Sequence, residues 1–434
     1  MASTESKVDT KRHTSVSSTD WQGAQDLSRQ WELSVDTWPR KLLVIALILF
    51  TTGSVIYRLW WPFRAAWITR NKPSDPVIYE RATIYDPDNA DYHFFLAQIY
   101  NYSTQHLNVA RAGEEYEAAV RLNPDRSSHW LELSKYYEQV GNIERSRFAM
   151  QTALERDPNW ARTHWAAANL YIRLNDLNSA DVELRRTAEL DAAFHTQVLD
   201  LVWRFYEDPV RIMSTHIPNS KDGTLAALNY FVTQKSDDGA ALAWAKLKTF
   251  ETKPTERVPY VHYLVSAGKP HQALEVFLWG MRSEGSIFNA SFETEPINGG
   301  FDWQLTPLDH AESRRDSNEA KSGIASWIVV FDGKANYPYY GLAHWVPVRK
   351  GRQYKLSFWM KTEGITSSEG VFVDVDGQAS EKQVGTTYWQ QFTIPFAATS
   401  DLVTIRLQRL ISKKFDNLVK GKVWVDDFSI TEVQ

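Results

Sequence analysis

The chain has 434 residues, 43% of them hydrophobic and 23% charged, with a net charge of −5 and no cysteine. That length accommodates two or three domains. The mild negative charge gives no electrostatic case for nucleic acid, and the missing cysteine removes disulfides, thiol catalysis and cysteine-held zinc together. The one compositional excess is tryptophan, eighteen in all, twelve before residue 285 and six after it.

Residues 1–37 are polar and rich in Ser, Thr and mixed charges, which predicts a disordered tail with a short amphipathic helix around Trp21 to Trp31. No lipidation motif is visible. From 42 to 57 the chain then runs LLVIALILFTTGSVIY without a charge. At about 1.5 Å per helical residue this covers roughly 24 Å, a little less than the ~30 Å of bilayer hydrocarbon. Trp38, Trp60 and Trp61 flank it as interfacial aromatics do, and Arg40, Lys41 and Arg58 have stems long enough to snorkel outward. The expectation is a permanent single-pass anchor over 38–63. A buried core helix is the other reading of such a length, and no A-x-A-like site follows that would mark a cleaved signal. Flanking charges leave the direction open: Arg29, Arg40 and Lys41 stand on one side, Arg58, Arg64, Arg70 and Lys72 on the other.

A fixed period follows. Asp86-Pro87, Asn123-Pro124 and Asp157-Pro158 are 37 and 34 residues apart, and Asp191 lies another 34 on. Tyr100, Tyr137 and Tyr171 recur fourteen residues after the first three. Ala97, Ser134 and Ala168 recur at matched positions, small enough to let paired helices approach closely. Asp or Asn before Pro predicts a helix start, the side chain capping free N–H groups and Pro taking the first helical position. These units resemble the tetratricopeptide repeat, most closely over 86–190, the first unit carrying three extra residues near 103–106. The segments 225–250 and 258–280 also read as helix, turn, helix, while 192–222 departs from the pattern. The expected array covers 75–283, with a concave surface for extended protein partners. Its Tyr and Trp residues are assigned to packing.

After Gly285 the apolar period becomes alternating. Tyr354, Leu356, Phe358 and Met360 share one strand face; Val371, Val373 and Val375 share another; Val403, Ile405 and Leu407 a third. Many short strands with turns between them predict a β-sandwich over 286–434. NASFETEPINGGFDWQL (289–305), GLAHWVPVRKGRQYKLSFWMKTEG (341–364), WQQFTIPF (389–396) and GKVWVDDFSI (421–430) resemble the jelly roll of carbohydrate-binding modules. An anchored tetratricopeptide array ending in such a module resembles bacterial proteins associated with exopolysaccharide production. That resemblance implies a cell-envelope location and no chemistry of its own.

Trp359 shares its strand face with Lys355 and Ser357 rather than with the core set, so it either stacks a ligand or is covered. A sugar ring presents apolar C–H faces to an indole, and Asp374, Arg406 and Gln408 would hydrogen-bond its hydroxyls if their strands neighbour Trp359. Tyr340, with Tyr337 and Tyr339, sits in an expected loop at the rim. The covered alternative places helices of the array, or a long loop such as 306–326, over this face. Glu293 and Asp426 stand where related jelly rolls hold a structural calcium, which the resemblance implies here; Asp427 pairing with a basic residue is the other option. Asp374 and Asp376, i and i+2 on one expected strand, admit a glycosidase reading at roughly 7 Å separation. Their place on one strand argues against it, because the two carboxylates must flank a bound sugar. No nucleophile elbow, phosphate loop or His metal spacing occurs elsewhere, and His344 lies in a strand with no evident partner.

The sequence thus predicts a multidomain protein: a single transmembrane helix, an all-α tetratricopeptide-like superhelix, then an all-β jelly-roll sandwich. The expected function is a non-catalytic scaffold for exopolysaccharide assembly or export, with protein partners on the repeats, glycan on the sandwich and no required cofactor. The expected location is a bacterial inner membrane, N-terminus cytoplasmic and bulk extracytoplasmic. The alternatives are a protein-interaction adaptor with a non-binding jelly roll, and a glycoside hydrolase.

Overall fold

The computed structural model describes residues 37–71, 74–281, 287–415 and 417–433. The expected polar tail, apart from Thr37, and its short helix lie outside the described residues. The chain divides into two compact units, Met1–Ala149 and Met150–Gln434.

In the first unit, α1 (Trp38–Thr69) is a 32-residue helix with Pro39 in its first turn, where no hydrogen bond is lost. It is long and apolar enough to cross a membrane, and none of its apolar window is buried within the protein. Thr51 returns its hydroxyl to the carbonyls of Leu47 and Ile48, so that polar group is satisfied within the helix. The helix runs past the expected end at 63. Ala65 is fully buried, and Trp61 packs 5.4 Å from Tyr85 of α2 (Pro76–Tyr85). Then come α3 (Ala90–Tyr102), α4 (Val109–Leu122), α5 (Ser127–Gln139) and the start of α6 (Ile143–Arg156).

The second unit continues with α7 (Ala161–Arg173), α8 (Leu177–Leu190), α9 (His195–Tyr206), α10 (Pro209–Thr215), α11 (Lys221–Thr233), α12 (Asp237–Leu247), α13 (Pro254–Ser266) and α14 (Pro270–Phe277). The irregular segment 192–222 is therefore helical too, with a 3-10 turn (Ala192–Phe194) ahead of α9 and a short α10. Within each unit the helices pack pair by pair as a tetratricopeptide-like superhelical array. The small residues sit where close approach needs them: Ala97, Ser134 and Ala168 are wholly buried, as are Ala119, Ala153 and Thr187. Ser134 and Ser146 exchange hydroxyl-to-carbonyl bonds of 2.8 and 2.9 Å between α5 and α6.

The Asp/Asn-Pro pairs act differently from the expectation. Asp86, Asn123 and Asp157 end the preceding helix, their N–H groups bonding back to Ala82, Ala119 and Ala153. The prolines stand in the turn, and α3, α5 and α7 begin three residues later at Ala90, Ser127 and Ala161. Proline after a helix end stops propagation, and here that role wins over the N1 role. Each Pro carbonyl then meets the ring nitrogen six residues on: His93 at 3.3 Å, Trp130 at 2.8 Å, His164 at 3.0 Å.

The sandwich comprises β1 (Gln304–Leu305), β2 (Ala311–Asp316), β3 (Ser326–Asp332), β4 (Tyr339–Pro347), β5 (Gln353–Ile365), β6 (Phe372–Val375), β7 (Gln378–Ala379), β8 (Gly385–Ala397), β9 (Leu402–Arg409) and β10 (Lys420–Glu432). They form two five-stranded antiparallel sheets, β1-β4-β9-β6-β7 and β2-β3-β10-β5-β8. The alternating sets point inward as expected, and Leu356, Phe358, Met360, Val373, Val375 and Ile405 lose all exposure between the sheets. Three local expectations change. Part of the supposed loop 306–326 is the edge strand β2, whose sequence AESRRD shows no apolar alternation. Tyr339 and Tyr340 open β4 rather than a loop, Tyr339 being buried. Asp376 is not on β6: with φ of 50° and Gly377 at 80° it makes the tight hairpin turn into β7.

Candidate functional site on the sandwich

The outer face of the β4–β9–β6 sheet carries four of the expected ligand residues together. Asp374 pairs in register with Arg406. The Arg406 Nη1 lies 4.0 Å from Asp374 Oδ2, and Gln408 Nε2 donates to Asp374 Oδ1. Burial pushes the Asp374 carboxyl above its ordinary range, against the pull of Arg406 and Gln408. Tyr340 reaches the same patch because the β4–β9 register slips between Tyr339 and Leu342, setting Tyr340 and Gly341 against Gln408. Its ring is half exposed. One aromatic face beside an amide, a carboxylate and a guanidinium is suited to a sugar ring and its hydroxyls. At the other end of this sheet Trp345 is covered, 5.1 Å from His262 of α13, and His271 of α14 meets the Val348 carbonyl at 3.1 Å.

Trp359 is not part of that patch. It lies on β5, in the other sheet, paired with Gln391 and Asp426. The condition for a joint groove with Asp374, Arg406 and Gln408 is therefore unmet: the two sets occupy opposite outer faces. The segment 317–325 lies over the Trp359 face. Lys321 Nζ stands 4.1 Å above the Trp359 ring. Glu319 accepts from Trp389 Nε1 at 2.9 Å and pairs with Lys361 Nζ at 2.8 Å. Lys361 holds the Glu319 carboxyl below its usual range. Trp424 is buried on the same face, its Nε1 donating to Asp316 at 2.9 Å. Loop cover accounts for a half-buried tryptophan on this polar face.

Glu293 and Asp426 do not fit a calcium site. Such a cation wants about six to eight oxygen ligands. Instead, Asp426 Oδ2 accepts from the N–H groups of Lys321 and Ser322, and Oδ1 from that of Asp427. Both Glu293 oxygens accept from Ile324 N–H. Asp427 binds the hydroxyls of Ser291 and Ser322, not a basic residue. Among the described residues no group of three or more His, Asp or Glu is placed to hold a metal ion. The two carboxylates pin the covering loop through its backbone.

Burial pushes fully enclosed Asp426 up to about 7, with Asp427 adding to the rise and the three N–H donors opposing it. An ordinary aspartate titrates near pH ~3.9. Between these values the folded chain keeps a proton that the unfolded chain has lost, so this group's contribution to stability falls as pH rises from about 4 to about 7. Asp426→Asn is expected to flatten that fall. Urea midpoints of the sandwich transition at pH 5 and pH 8 check it, and equal losses in both proteins would reject the assignment.

The glycosidase pair is also dispersed. Asp376 accepts from Thr399 N–H and Oγ1, both at 2.7 Å, while Asp374 faces Gln408 and Arg406. His344, without an evident partner in the sequence, is buried with Nε2 3.1 Å from the Phe288 carbonyl. Burial depresses it to about 4, which keeps it neutral.

In the array, a recurring polar triad escaped sequence reasoning. Glu80 accepts from Tyr100 at 2.6 Å and Arg111 at 2.8 Å; Glu117 accepts from Tyr137 at 2.7 Å and Arg145 at 3.3 Å. Asp181 takes Tyr206 and Arg211, both at 2.9 Å, and adds buried His216 at 2.8 Å. The signal was present as two glutamates 37 residues apart, each twenty before a repeat tyrosine.

A tetratricopeptide repeat family model matches residues 130–159. No curated protein matches the chain. Among solved structures the chain is similar to one described as "CBM4 structure and function", at 15% identity over 34% of this chain and 100% of that one, with a TM-score of 0.26. It is similar to YrrB, a TPR protein with an unusual peptide-binding site, at 12% identity over 46% and 88%, TM-score 0.25. Pseudomonas aeruginosa pilF gives 11% identity over 52% and 90%, TM-score 0.27.

Proposed function

We propose that this chain is a membrane-anchored, non-catalytic scaffold that holds protein partners on its helical array and glycan on its sandwich. The observation that carries the reading is α1. An exposed apolar helix whose C-terminal end packs on α2 of the first unit holds that unit at a bilayer surface. Stacked helix pairs of this kind offer extended surfaces to peptides and proteins. The patch of Tyr340, Gln408, Asp374 and Arg406 supplies the glycan contact. Assembly or export of exopolysaccharide at a bacterial inner membrane, with the N-terminus cytoplasmic, is the role we infer from the combination. The direction of the anchor rests on the sugar-module resemblance.

Native electrophoresis of the detergent-solubilised full chain through the host's polysaccharide tests the glycan contact. Retarded migration is expected, lost in Arg406→Ala and kept in Trp359→Ala. Unretarded migration of the unaltered chain would reject the glycan contact and leave the adaptor reading, which the helix-covered end of the same sheet at Trp345 favours. Protease added to spheroplasts tests the direction: digestion of the array supports export, and full protection reverses it.

A further inference from the structure

The last ten residues of α1 form a surface of their own. A 32-residue helix is about 48 Å long, some 18 Å more than bilayer hydrocarbon requires. The excess falls at the C-terminal end, where Ala65 is buried and the uncharged run is over. This end carries exposed Trp60, Phe63 and Trp67 at i, i+3 and i+7, one stripe of interfacial aromatics.

Beside that stripe an open cavity of about 400 Å³ lies between the end of α1 and α2, lined by Arg64, Trp67, Arg70, Ile78, Arg81 and Tyr85 among others. Three arginines line this one cavity. The Arg64 guanidinium carbon stands 4.9 Å from the Tyr85 ring centre and 5.6 Å from that of Trp61. The Arg70 guanidinium stands 4.1 Å from the Trp67 ring. These contacts hold the charges without neutralising them. Among the described residues no carboxylate pairs with Arg64, Arg70 or Arg81, whereas Arg111 and Arg145 of the same unit each face a glutamate. Like charges gathered without a counter-ion repel, and an anion relieves the repulsion.

We propose that this cavity binds the phosphodiester headgroup of an anionic phospholipid in the leaflet that α1 leaves. This inference rests on the anchor reading. Guanidinium forks match phosphate oxygens two at a time, and aromatic rings bordering them sit at headgroup depth. Basic pockets beside membrane helices take such headgroups. A lipid is favoured over free phosphate because the cavity adjoins the exposed aromatic stripe through Trp67, and such aromatics sit at the membrane interface beside lipid headgroups. The site also explains why arginines crowd the far side of the span: they are binding groups, so their count does not report orientation.

The test uses the full chain in neutral detergent, with lipid retention read by native mass spectrometry. Phosphatidylglycerol is expected to be retained over phosphatidylcholine. Arg81→Gln, on α2 and therefore least able to disturb the anchor, is expected to weaken that retention about tenfold, as loss of a charged hydrogen bond would. Arg64→Gln should do the same, and Arg58→Gln, whose side chain does not line the cavity, should not. Circular dichroism confirms that the helices persist. Equal retention of both lipids, or unchanged retention in Arg81→Gln and Arg64→Gln, overturns the proposal. Displacement of phosphatidylglycerol by millimolar inorganic phosphate also overturns it, assigning the site to free phosphate. Alkaline carbonate extraction of membranes separates the premise: release of the chain defeats the anchor, whereas a retained chain with no lipid preference defeats the headgroup site alone.

Discussion

Trp303→Ala is expected to destabilise the sandwich by about 3–5 kcal/mol, the range for removing a buried large aromatic. Trp303 has no exposed surface, and its ring lies 4.7 Å from Phe292, 4.8 Å from Phe428 and 4.9 Å from His344. Its Nε1 donates to the Asn289 carbonyl at 2.9 Å, which the substitution leaves without that donor. The preceding residue works to the same end: buried Asp302 accepts from Ile297 N–H at 2.8 Å, Trp303 N–H at 2.7 Å and Asn289 Nδ2 at 3.3 Å. The effect should appear as a lower urea midpoint for the unit that holds the sandwich. A sandwich midpoint within error of the unaltered chain would reject this role. The segments around Asn289, Phe292 and Phe301–Trp303, which carry much of the jelly-roll resemblance, therefore specify a clasp inside the fold. They contribute nothing to the patch of Tyr340, Asp374, Arg406 and Gln408.

That division shows what the sequence can and cannot carry. Alternation told which residues of a strand face the core, because the side-chain period is two, and the inward sets of β5, β6 and β9 follow from it. Alternation does not tell which sheet a strand joins. β5 and β9 present similar patterns, yet the crossovers put Trp359 and Arg406 on opposite faces. Tyr340 reached the patch through a one-residue register slip that no local pattern encodes. The helical period was legible for the same reason the array exists: each unit repeats its small buried residues. Only the boundary role of the prolines was misassigned, since Asp-Pro suits a helix start and a helix stop about equally. The carboxylate of the triad was missed because it belongs to the helix before its tyrosine, where a search within one unit does not look.

Arg409→Met is the other substitution with a large expected effect, and two opposing terms decide it. Arg409 is fully buried at the end of β9, and burial lowers its pKa from the usual guanidinium value. Its described partners are uncharged. Nη1 donates to the Tyr337 carbonyl, and Nη2 to Ser367 Oγ at 3.0 Å and the Asn417 carbonyl at 2.8 Å. Methionine fills similar space and removes a buried charge, which by itself stabilises, since a buried cation costs several kcal/mol even after relaxation. Against that, three acceptors on three separate loops lose their donor, at about 1–3 kcal/mol each when water cannot replace it. The loops before β4, before β6 and before β10 converge on this one side chain, so no single rearrangement can satisfy all three. We expect the acceptors to win, with a net loss of about 2–4 kcal/mol in the sandwich transition. Gln408 and Tyr340 flank this junction, so the glycan retention proposed above should weaken in the same variant at temperatures where it is still folded. An Arg409→Met protein as stable as the original would mean that the charge, not the acceptors, dominates, and that these loops are held by their own packing.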